Sequence, residues 1–141
     1  MLSISEQPID IEMLLEKIKD DGAGATVLFL GSVRNQSEGS TVSSIYYEAY
    51  VRMALETMSK IEAEAFERWN LKRFAAMLRV GELKVGQVSV AIGVSAEHRA
   101  EAFEAGQYAI DKVKAETPIW KKETAGDGNS FWAEGKVLGR G

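Results

Sequence analysis

The chain has 141 residues, one histidine, no cysteine and a formal net charge of −4. This length suits a single domain with a sizeable core, over residues 1–141. Without cysteine there can be no disulfides, thiolate metal sites or cysteine nucleophile, and we predict neither a bound metal nor a cofactor. The negative charge argues against nucleic acid binding unless the basic residues are clustered. The first residues do not form a signal peptide and no apolar run could span a membrane, which predicts a cytoplasmic protein.

Apolar periodicity predicts three helices separated by pairs of strands. The first predicted helix is opened by Pro8-Ile9-Asp10 and stopped at 21–24, the second covers about 50–69, and the third runs from Ser95 as N-cap to near Thr117. Strands are predicted at 25–30, 42–49, 74–80 and 87–94, with a further short strand at 131–132. Residues 81–86 are predicted to be a turn and residues 136–141 a frayed tail. This order predicts the α+β class: one domain with a largely antiparallel sheet and helices packed on it.

Two of the strand patterns carry further expectations. The run at 25–30 is almost continuously apolar, which predicts a central strand covered on both faces. The strand at 87–94 alternates between apolar residues and the small residues Ser89, Ala91 and Gly93. We expect another element to approach the small-residue face closely.

Two closely spaced glycines in Gly22-Ala23-Gly24-Ala25 suggest a dinucleotide-binding loop at first sight. Such a loop follows a strand and opens a helix, whereas these glycines follow a helix and open a strand. We therefore interpret the segment as a helix stop.

Basic residues occur at three places in the sequence where they could bind an anion. Arg34 comes just after a buried strand, where side chains often face a cleft, although a lone arginine there is more often a surface charge. His98 and Arg99 open the last helix, whose free N–H groups and adjacent guanidinium can bind a phosphate. Lys114 and Lys121 lie at and beyond its other end. They form either a solvated basic helix end or a pair of lysines partly withdrawn from water and able to act as acid, base or nucleophile.

The spacing of these groups limits how they can cooperate. His98 and Lys114 lie on one predicted helix, ~24 Å apart along its axis. One small ligand cannot contact both within a chain, so either there are two sites or a symmetric dimer brings one chain's His98-Arg99 to the other chain's Lys114. Gly106, midway between them, either permits close approach of helices or serves internal packing.

Five short motifs occur in an order that matches a known family. They are Gly31-Ser32-Val33-Arg34-Asn35, then Tyr47-Glu48-Ala49-Tyr50 with Met53-Ala54, then Arg79-Val80-Gly81-Glu82-Leu83, then Val94-Ser95-Ala96-Glu97-His98-Arg99 with Ala102-Phe103-Glu104-Ala105, and Pro118-Ile119-Trp120-Lys121-Lys122-Glu123. Spread over residues 8–134, they closely resemble the large, catalytic subunit of molybdopterin synthase.

The resemblance implies a sulfurtransferase of molybdenum cofactor biosynthesis that converts cyclic pyranopterin monophosphate (precursor Z) to molybdopterin. It implies that the sulfur arrives as a thiocarboxylate on the C-terminal Gly-Gly of a small ubiquitin-like subunit. Two large subunits would form a homodimer within a heterotetramer, with pockets built from both chains. The implied fold is an α/β hammerhead with an additional antiparallel sheet.

The same resemblance assigns roles to individual residues. Lys114 is the implied catalyst. The implied substrate-binding residues are Ser32, Val33, Arg34, His98, Arg99, Lys114, Lys121, Lys122 and Glu123.

Two departures from the family pattern remove possible contacts. Many members have histidine where this chain has Leu78, and some carry a basic residue in the loop before Trp132 that is absent here. The alternative function is a dimeric binding module, for a phosphate ligand or a ubiquitin-like protein, without catalysis.

Overall fold

The structure is a computed structural model that describes residues 1–37, 39–125 and 130–132. Its elements are β1 (Leu2–Ser5), α1 (Ile11–Ile18), β2 (Ala25–Ser32), β3 (Gln36–Ser37), β4 (Ser40–Ala49), α2 (Val51–Arg68), β5 (Leu71–Arg79), β6 (Gly81–Lys84), β7 (Val88–Ala96), α3 (Arg99–Glu116), β8 (Ile119–Ala125) and β9 (Ser130–Trp132). The predicted α+β class is confirmed, since every described strand pair except β1 with β5 is antiparallel. Within the described residues, no helix is long and apolar enough to cross a membrane. The predicted tail at 136–141 lies outside these ranges.

The first sheet has the strand order β1-β5-β7-β2 and carries helices on both faces. On one face, α2 packs over β1 and β5, and α3 packs over β7 and β2. On the other face, α1 packs over β5 and β7. The larger core lies under α2 and α3, and a smaller cluster lies under α1.

The alternation predicted for β7 is confirmed and explains how both faces are covered. Val90, Ile92 and Val94 belong to the core under α3, and Ala91 belongs to the cluster under α1. A Cβ on Gly93 would lie 2.5 Å from the Cδ1 atom of Ile18. The small-residue face therefore admits α1, which is the close approach that the sequence predicted.

The prediction of a central strand at 25–30 is wrong, because β2 lies at the edge of its sheet. Val27 and Phe29 pack into the core under α3, and Leu28 packs against the cluster under α1. An apolar run indicates that both faces of a strand are covered by other side chains, but it does not indicate how many strands pair with it. Leu30, beyond the reach of α1, is 39% exposed.

The second sheet runs β3-β4-β8-β9, with β6 on β4. The predicted turn at 81–86 is wrong in its first half, since β6 occupies Gly81–Lys84 and pairs with β4. The sequence also did not predict β1, β3 and β8, the last of which runs over Ile119–Ala125. Charged residues in the middle of β8 hide its alternation. The predicted short strand at 131–132 is confirmed by β9.

The predicted N-cap at Ser95 is also wrong. Ladder partners in both β2 and β5 hold Ser95 inside β7, and His98 is the N-cap of α3. Within the described residues, the fully buried Ser95 hydroxyl makes no hydrogen bond. A cap residue must leave the strand, which the two ladders prevent.

The helix stop assigned to Gly22–Ala25 needs a similar correction. The helix α1 begins at the predicted place, where an Asp10 carboxylate oxygen accepts a hydrogen bond of 3.0 Å from the Met13 N–H. It ends at Ile18 with Lys19 in extended conformation, so no glycine caps it. Gly24 instead permits a close approach, since a Cβ there would collide with the Glu97 carbonyl oxygen.

We therefore expect Gly24→Ala to lower the free energy of unfolding by about 1–3 kcal/mol, because the backbone of Glu97 cannot rotate away as a side chain would. The measurement is the urea midpoint at constant slope. Gly106→Ala is the control: its Cβ would meet Val27 at 3.4 Å, an ordinary contact, in a helix that favours alanine. Equal midpoints for wild type and Gly24→Ala would contradict this steric account.

Candidate active site

The residues predicted to form the site fall into two groups at opposite ends of α3. The residues of one group lie at the end of β2, in the last turn of α3 and in β8: Ser32, Val33, Arg34, Lys114, Lys121, Lys122 and Glu123. The other is His98 with Arg99, where α3 begins.

The direction of α3 explains why the first group meets. Strand β7 is antiparallel to β2 and leads almost directly into α3, which packs back over both strands. The helix therefore runs in the same direction as β2, and its last turn lies near the end of that strand. This places half-buried Lys114 at the same end of the domain as Arg34.

Arg34 is exposed but follows a firmly held backbone. Val33 is 3% exposed, and its N–H donates to the Gln87 carbonyl oxygen over 3.0 Å. On the other side, the Asn35 carbonyl oxygen accepts a hydrogen bond of 2.8 Å from the Val42 N–H. The guanidinium can therefore move while its Cα stays in place.

A hydroxyl relay connects the two sheets at this end. Tyr47 of β4 stands opposite Lys121 in the ladder with β8, and its side chain hydrogen-bonds that of Ser89 in β7. The Ser89 hydroxyl donates to the Gly31 carbonyl oxygen in β2 over 3.3 Å. Lys121 therefore lies one strand spacing from Tyr47, whose side chain is linked through Ser89 to the end of β2.

Alternation along β8 separates the three charged residues predicted there. Lys121 and Glu123 share a face with buried Ile119, and the Glu123 side chain is 5% exposed. Lys122 points to the opposite face, where its ladder partner is Tyr46. The structure therefore brings Lys121 and Glu123 towards the relay and turns Lys122 away.

Trp120 also lies on the face away from Lys121. Its ring packs edge-on against the Tyr50 ring, with centroids 4.8 Å apart and an interplanar angle of 78°. The Trp120 ring is thus in contact with another aromatic side chain of the same chain.

Three cations at this end lack a carboxylate partner among the residues that the structure describes. Within residues 1–37, 39–125 and 130–132, no ion pair involves Arg34, Lys114 or Lys121. By contrast, the Lys112 ammonium lies 3.3 Å from a Glu116 carboxylate oxygen on the same helix. Unpaired cations around a partly buried surface are suited to bind an anion and to stabilise developing negative charge.

His98 and Arg99 stay apart from these cations within one chain. Arg99 lies ~22 Å from Lys114 along the axis of α3. His98 is exposed, and its Nε2 atom lies 3.9 Å from a Glu97 carboxylate oxygen, a long contact that contributes little to stability. The structure of a single chain therefore leaves the predicted site in two halves.

Sequence reasoning did not single out Tyr47 and Ser89 as site residues. Tyr47 stood within a family motif and Ser89 on the small-residue face of its strand, but their contact joins two sheets that local periodicity cannot relate. Leu78, one of the two departures from the family pattern, is 2% exposed between Ile4 and Val90. That position therefore lies in the core.

Comparison with known proteins gives the family and the fold of this chain. The model of the MoaE protein family matches residues 4–116. The chain belongs to the MoaE family.

Relatives cover both microbial and animal proteins. A molybdopterin synthase catalytic subunit from Pyrococcus abyssi is 39% identical over 95% of this chain and 91% of its own length. The counterpart from Drosophila sechellia is 41% identical over 96% of this chain, but the chain spans 37% of that longer protein. The crystal structure of molybdopterin synthase from Staphylococcus aureus is 36% identical, covers 92% of this chain and 93% of its own, and has a TM-score of 0.86. This MoaE chain therefore has the fold of a molybdopterin synthase.

The hydroxyl relay predicts a pH dependence of stability. Burial raises the pKa of Tyr47 above its ordinary value of 10.0, the hydrogen bond between the Tyr47 and Ser89 side chains opposes the rise, and the charge of Glu123 adds to it. Because the folded-state pKa is the higher one, this contribution is complete below pH 10 and is lost as the pH rises through the folded-state value. We expect Tyr47→Phe to lower the free energy of unfolding by about 1 kcal/mol at neutral pH and to weaken the loss of stability at alkaline pH.

The matched control is Tyr46→Phe, the neighbouring tyrosine, which is 41% exposed. Urea unfolding at several pH values should show an unchanged alkaline slope for this variant. The same slope for Tyr47→Phe as for wild type would contradict the assignment.

Proposed function

We propose that this chain transfers sulfur to a pterin as the catalytic subunit of molybdopterin synthase, in the cytoplasm. The substrate is cyclic pyranopterin monophosphate (precursor Z), and the product is molybdopterin. The sulfur donor is the C-terminal Gly-Gly thiocarboxylate of a small ubiquitin-like subunit. The observation that carries the proposal is the set of three cations, Arg34, Lys114 and Lys121, that lack ion pairs in the described part of the chain.

The proposed roles follow from position and charge. Arg34 can contact the substrate phosphate with a forked pair of donors, and Ser32 and Val33 line the same end of β2. Half-buried Lys114 faces the reacting centre, where an ammonium can offset the thiocarboxylate charge and stabilise the oxyanion formed when the acyl carbon is attacked. Lys121 supports the substrate beside it.

Glu123 and the hydroxyl relay hold Lys121 in place rather than react. Glu123 is buried on the same face of β8 as Lys121, and Tyr47 is the ladder partner of Lys121. Lys122, on the other face of β8, is assigned to the same segment of the pocket only through the family motif.

The second half of the site comes from a partner chain in this proposal. His98 and Arg99 of one large subunit would bind substrate beside Lys114 of the other, in a homodimer that carries one small subunit at each end. The length of α3 supports this arrangement, because it prevents one chain from using both groups on one small ligand.

Replacement of the proposed catalyst is the direct test. We expect Lys114→Ala to reduce formation of molybdopterin by 10²–10³-fold or about 3–4 kcal/mol, with folding unchanged, because a stabilising charge is removed. The assay supplies precursor Z and a thiocarboxylated small subunit and measures dithiolene formation. Lys112→Ala, which removes an ion-paired ammonium two positions away, should retain activity.

This experiment also distinguishes the alternatives. A binding module without catalysis would bind the pterin, yet neither wild type nor variant would form a dithiolene. Unchanged turnover in Lys114→Ala would reject Lys114 as the catalyst.

Mixed dimers test whether the pocket is shared. Lys114→Ala chains and His98→Ala chains, unfolded and refolded together, should recover about a quarter of wild-type activity, because half of the random dimers carry one intact pocket of two. The measurement uses substrate below KM, where weakened binding by His98→Ala is visible. Activity no greater than the average of the two parent variants would contradict sharing.

A further inference from the structure

The turn between β6 and β7 joins the two sheets beside the end of β2. Strand β6 pairs with β4 in the second sheet, whereas β7 lies between β5 and β2 in the first sheet. The turn covers residues 84–87, all of which are exposed. The proposed function assigns no role to this turn, which is hydrogen-bonded to the residue before Arg34.

Its hydrogen bonds and one dihedral angle define the type of the turn. The Lys84 carbonyl oxygen accepts a hydrogen bond of 3.0 Å from the Gln87 N–H, which closes a turn of four residues. The Gln87 side chain closes the turn a second time, because its Oε1 atom accepts a hydrogen bond of 2.8 Å from the Lys84 N–H. Gly86, at the third position, has a φ of 89°. A positive φ at the third position is characteristic of a type II turn.

The turn holds the backbone of Val33 through two hydrogen bonds. The Gly86 N–H donates to the Val33 carbonyl oxygen over 2.8 Å, and the Val33 N–H donates to the Gln87 carbonyl oxygen over 3.0 Å. Val33 is also 3% exposed and belongs to the larger core. Arg34 therefore follows a residue that is fixed both by its backbone and by its side chain.

The residues on either side of this pair of bonds are fixed as well. The ladder between β2 and β7 shifts its register between Gly31 and Ser32, just before Val33. Such irregularities often direct a neighbouring side chain at a functional site. After Arg34, the Asn35 carbonyl oxygen accepts a hydrogen bond of 2.8 Å from the N–H of Val42 in β4.

The direction of one peptide group decides whether the turn can hold Val33. In a type II turn the central peptide, here between Val85 and Gly86, is flipped relative to its direction in a type I turn. This flipped peptide directs the Gly86 N–H at the Val33 carbonyl oxygen. A Cβ disfavours positive φ, so alanine at position 86 favours the type I form, in which the N–H points away. Since a Cβ on Gly86 would meet no atom within 4 Å, the value of φ alone requires glycine here.

We propose that this turn positions the Arg34 guanidinium, with Gly86 and Gln87 as the positioning residues. The turn fixes the backbone of Val33, and thereby the point from which Arg34 reaches the substrate phosphate. It acts through Val33 and not by contact with the substrate. A binding group held in place before the ligand arrives avoids the entropy cost of ordering a loop. This inference rests on the proposed function, because Arg34 is the residue proposed there to bind the phosphate.

A change of preferred φ at one residue tests the turn. We expect Gly86→Ala to raise KM for precursor Z by about 3–10-fold at unchanged kcat, because substrate binding is weakened while Lys114 is untouched. The assay uses saturating thiocarboxylated small subunit. Gly86→Asn should restore KM, since asparagine adopts positive φ more readily than alanine does.

The matched control is Gly39→Ala in the turn of the β3–β4 hairpin. Gly39 has a φ of 81°, and a Cβ there would also meet no atom within 4 Å. The substitution imposes the same backbone strain at a different turn, so it should lower stability similarly and keep the wild-type KM. An equal rise of KM in Gly39→Ala and Gly86→Ala would contradict a specific role of the turn at 84–87.

Amide hydrogen exchange tests the two hydrogen bonds without any assay of activity. We expect Gly86→Ala to accelerate exchange of the Val33 amide by about tenfold or more, because the turn that holds it opens locally. The Val42 amide, bonded to Asn35, should keep its wild-type rate. Unchanged exchange at Val33 would overturn the proposal.

A double-mutant cycle distinguishes positioning of Arg34 from a general loss of stability. Arg34→Ala should raise KM by about tenfold or more, which is the loss expected for a hydrogen bond to a charged group. If the turn acts through Arg34, adding Gly86→Ala to that variant changes KM by less than about twofold. A full additional rise of KM in the double variant would show that the turn acts on another group.

The outcomes separate this inference from the proposed function. A raised KM in Arg34→Ala with a wild-type KM in Gly86→Ala would overturn the positioning role and leave the proposed function intact. A wild-type KM in both variants would reject the phosphate contact of Arg34 together with the positioning role. Conversely, a rise of KM in Gly86→Ala that disappears in the Arg34→Ala chain would support positioning even if Lys114→Ala stays fully active.

Discussion

The packing of α3 over β7 and β2 determines where the charged groups of this domain lie. Because β7 runs antiparallel to β2 and leads straight into α3, the helix must run parallel to β2, and each of its ends is level with one end of the strand. Small residues make this contact possible: Ala102, Ala105, Gly106 and Ala109 are all buried on the helix. A side chain larger than alanine at position 106, where the helix meets Val27, would lift the helix away from β2.

The sequence contained enough information for the class of fold, and it singled out the charged residues of the candidate site. The three helices and four of the strands follow from periodicity, since each buries one continuous face. Strand β8 escaped detection because Lys121 and Glu123 occupy positions on its core-facing side, where alternation leads one to expect apolar residues. The edge position of β2 was hidden for a different reason. Its apolar run is the same as that of a central strand, and only the strand order shows that β2 lies at the end of its sheet.

The contacts between the two sheets could not be predicted from the sequence. Tyr47 and Ser89 are distant in the chain, and their hydrogen bond depends on how two sheets are stacked. The two halves of the cationic site were predictable as types of residue, and the length of one helix already showed that they could not meet within a chain.

The short connection between α3 and β8 has a consequence for how the proposed substrate enters. Thr117 is fully buried, its N–H donates to Val113, and the Pro118 carbonyl oxygen accepts a hydrogen bond of 3.3 Å from the Tyr50 N–H. Lys114 and Lys121 therefore lie on either side of a connection that is fixed at both the helix and the second sheet. Admission of a ligand then relies on rotation of the two long side chains, which takes picoseconds to nanoseconds, rather than on opening of the main chain over microseconds or longer.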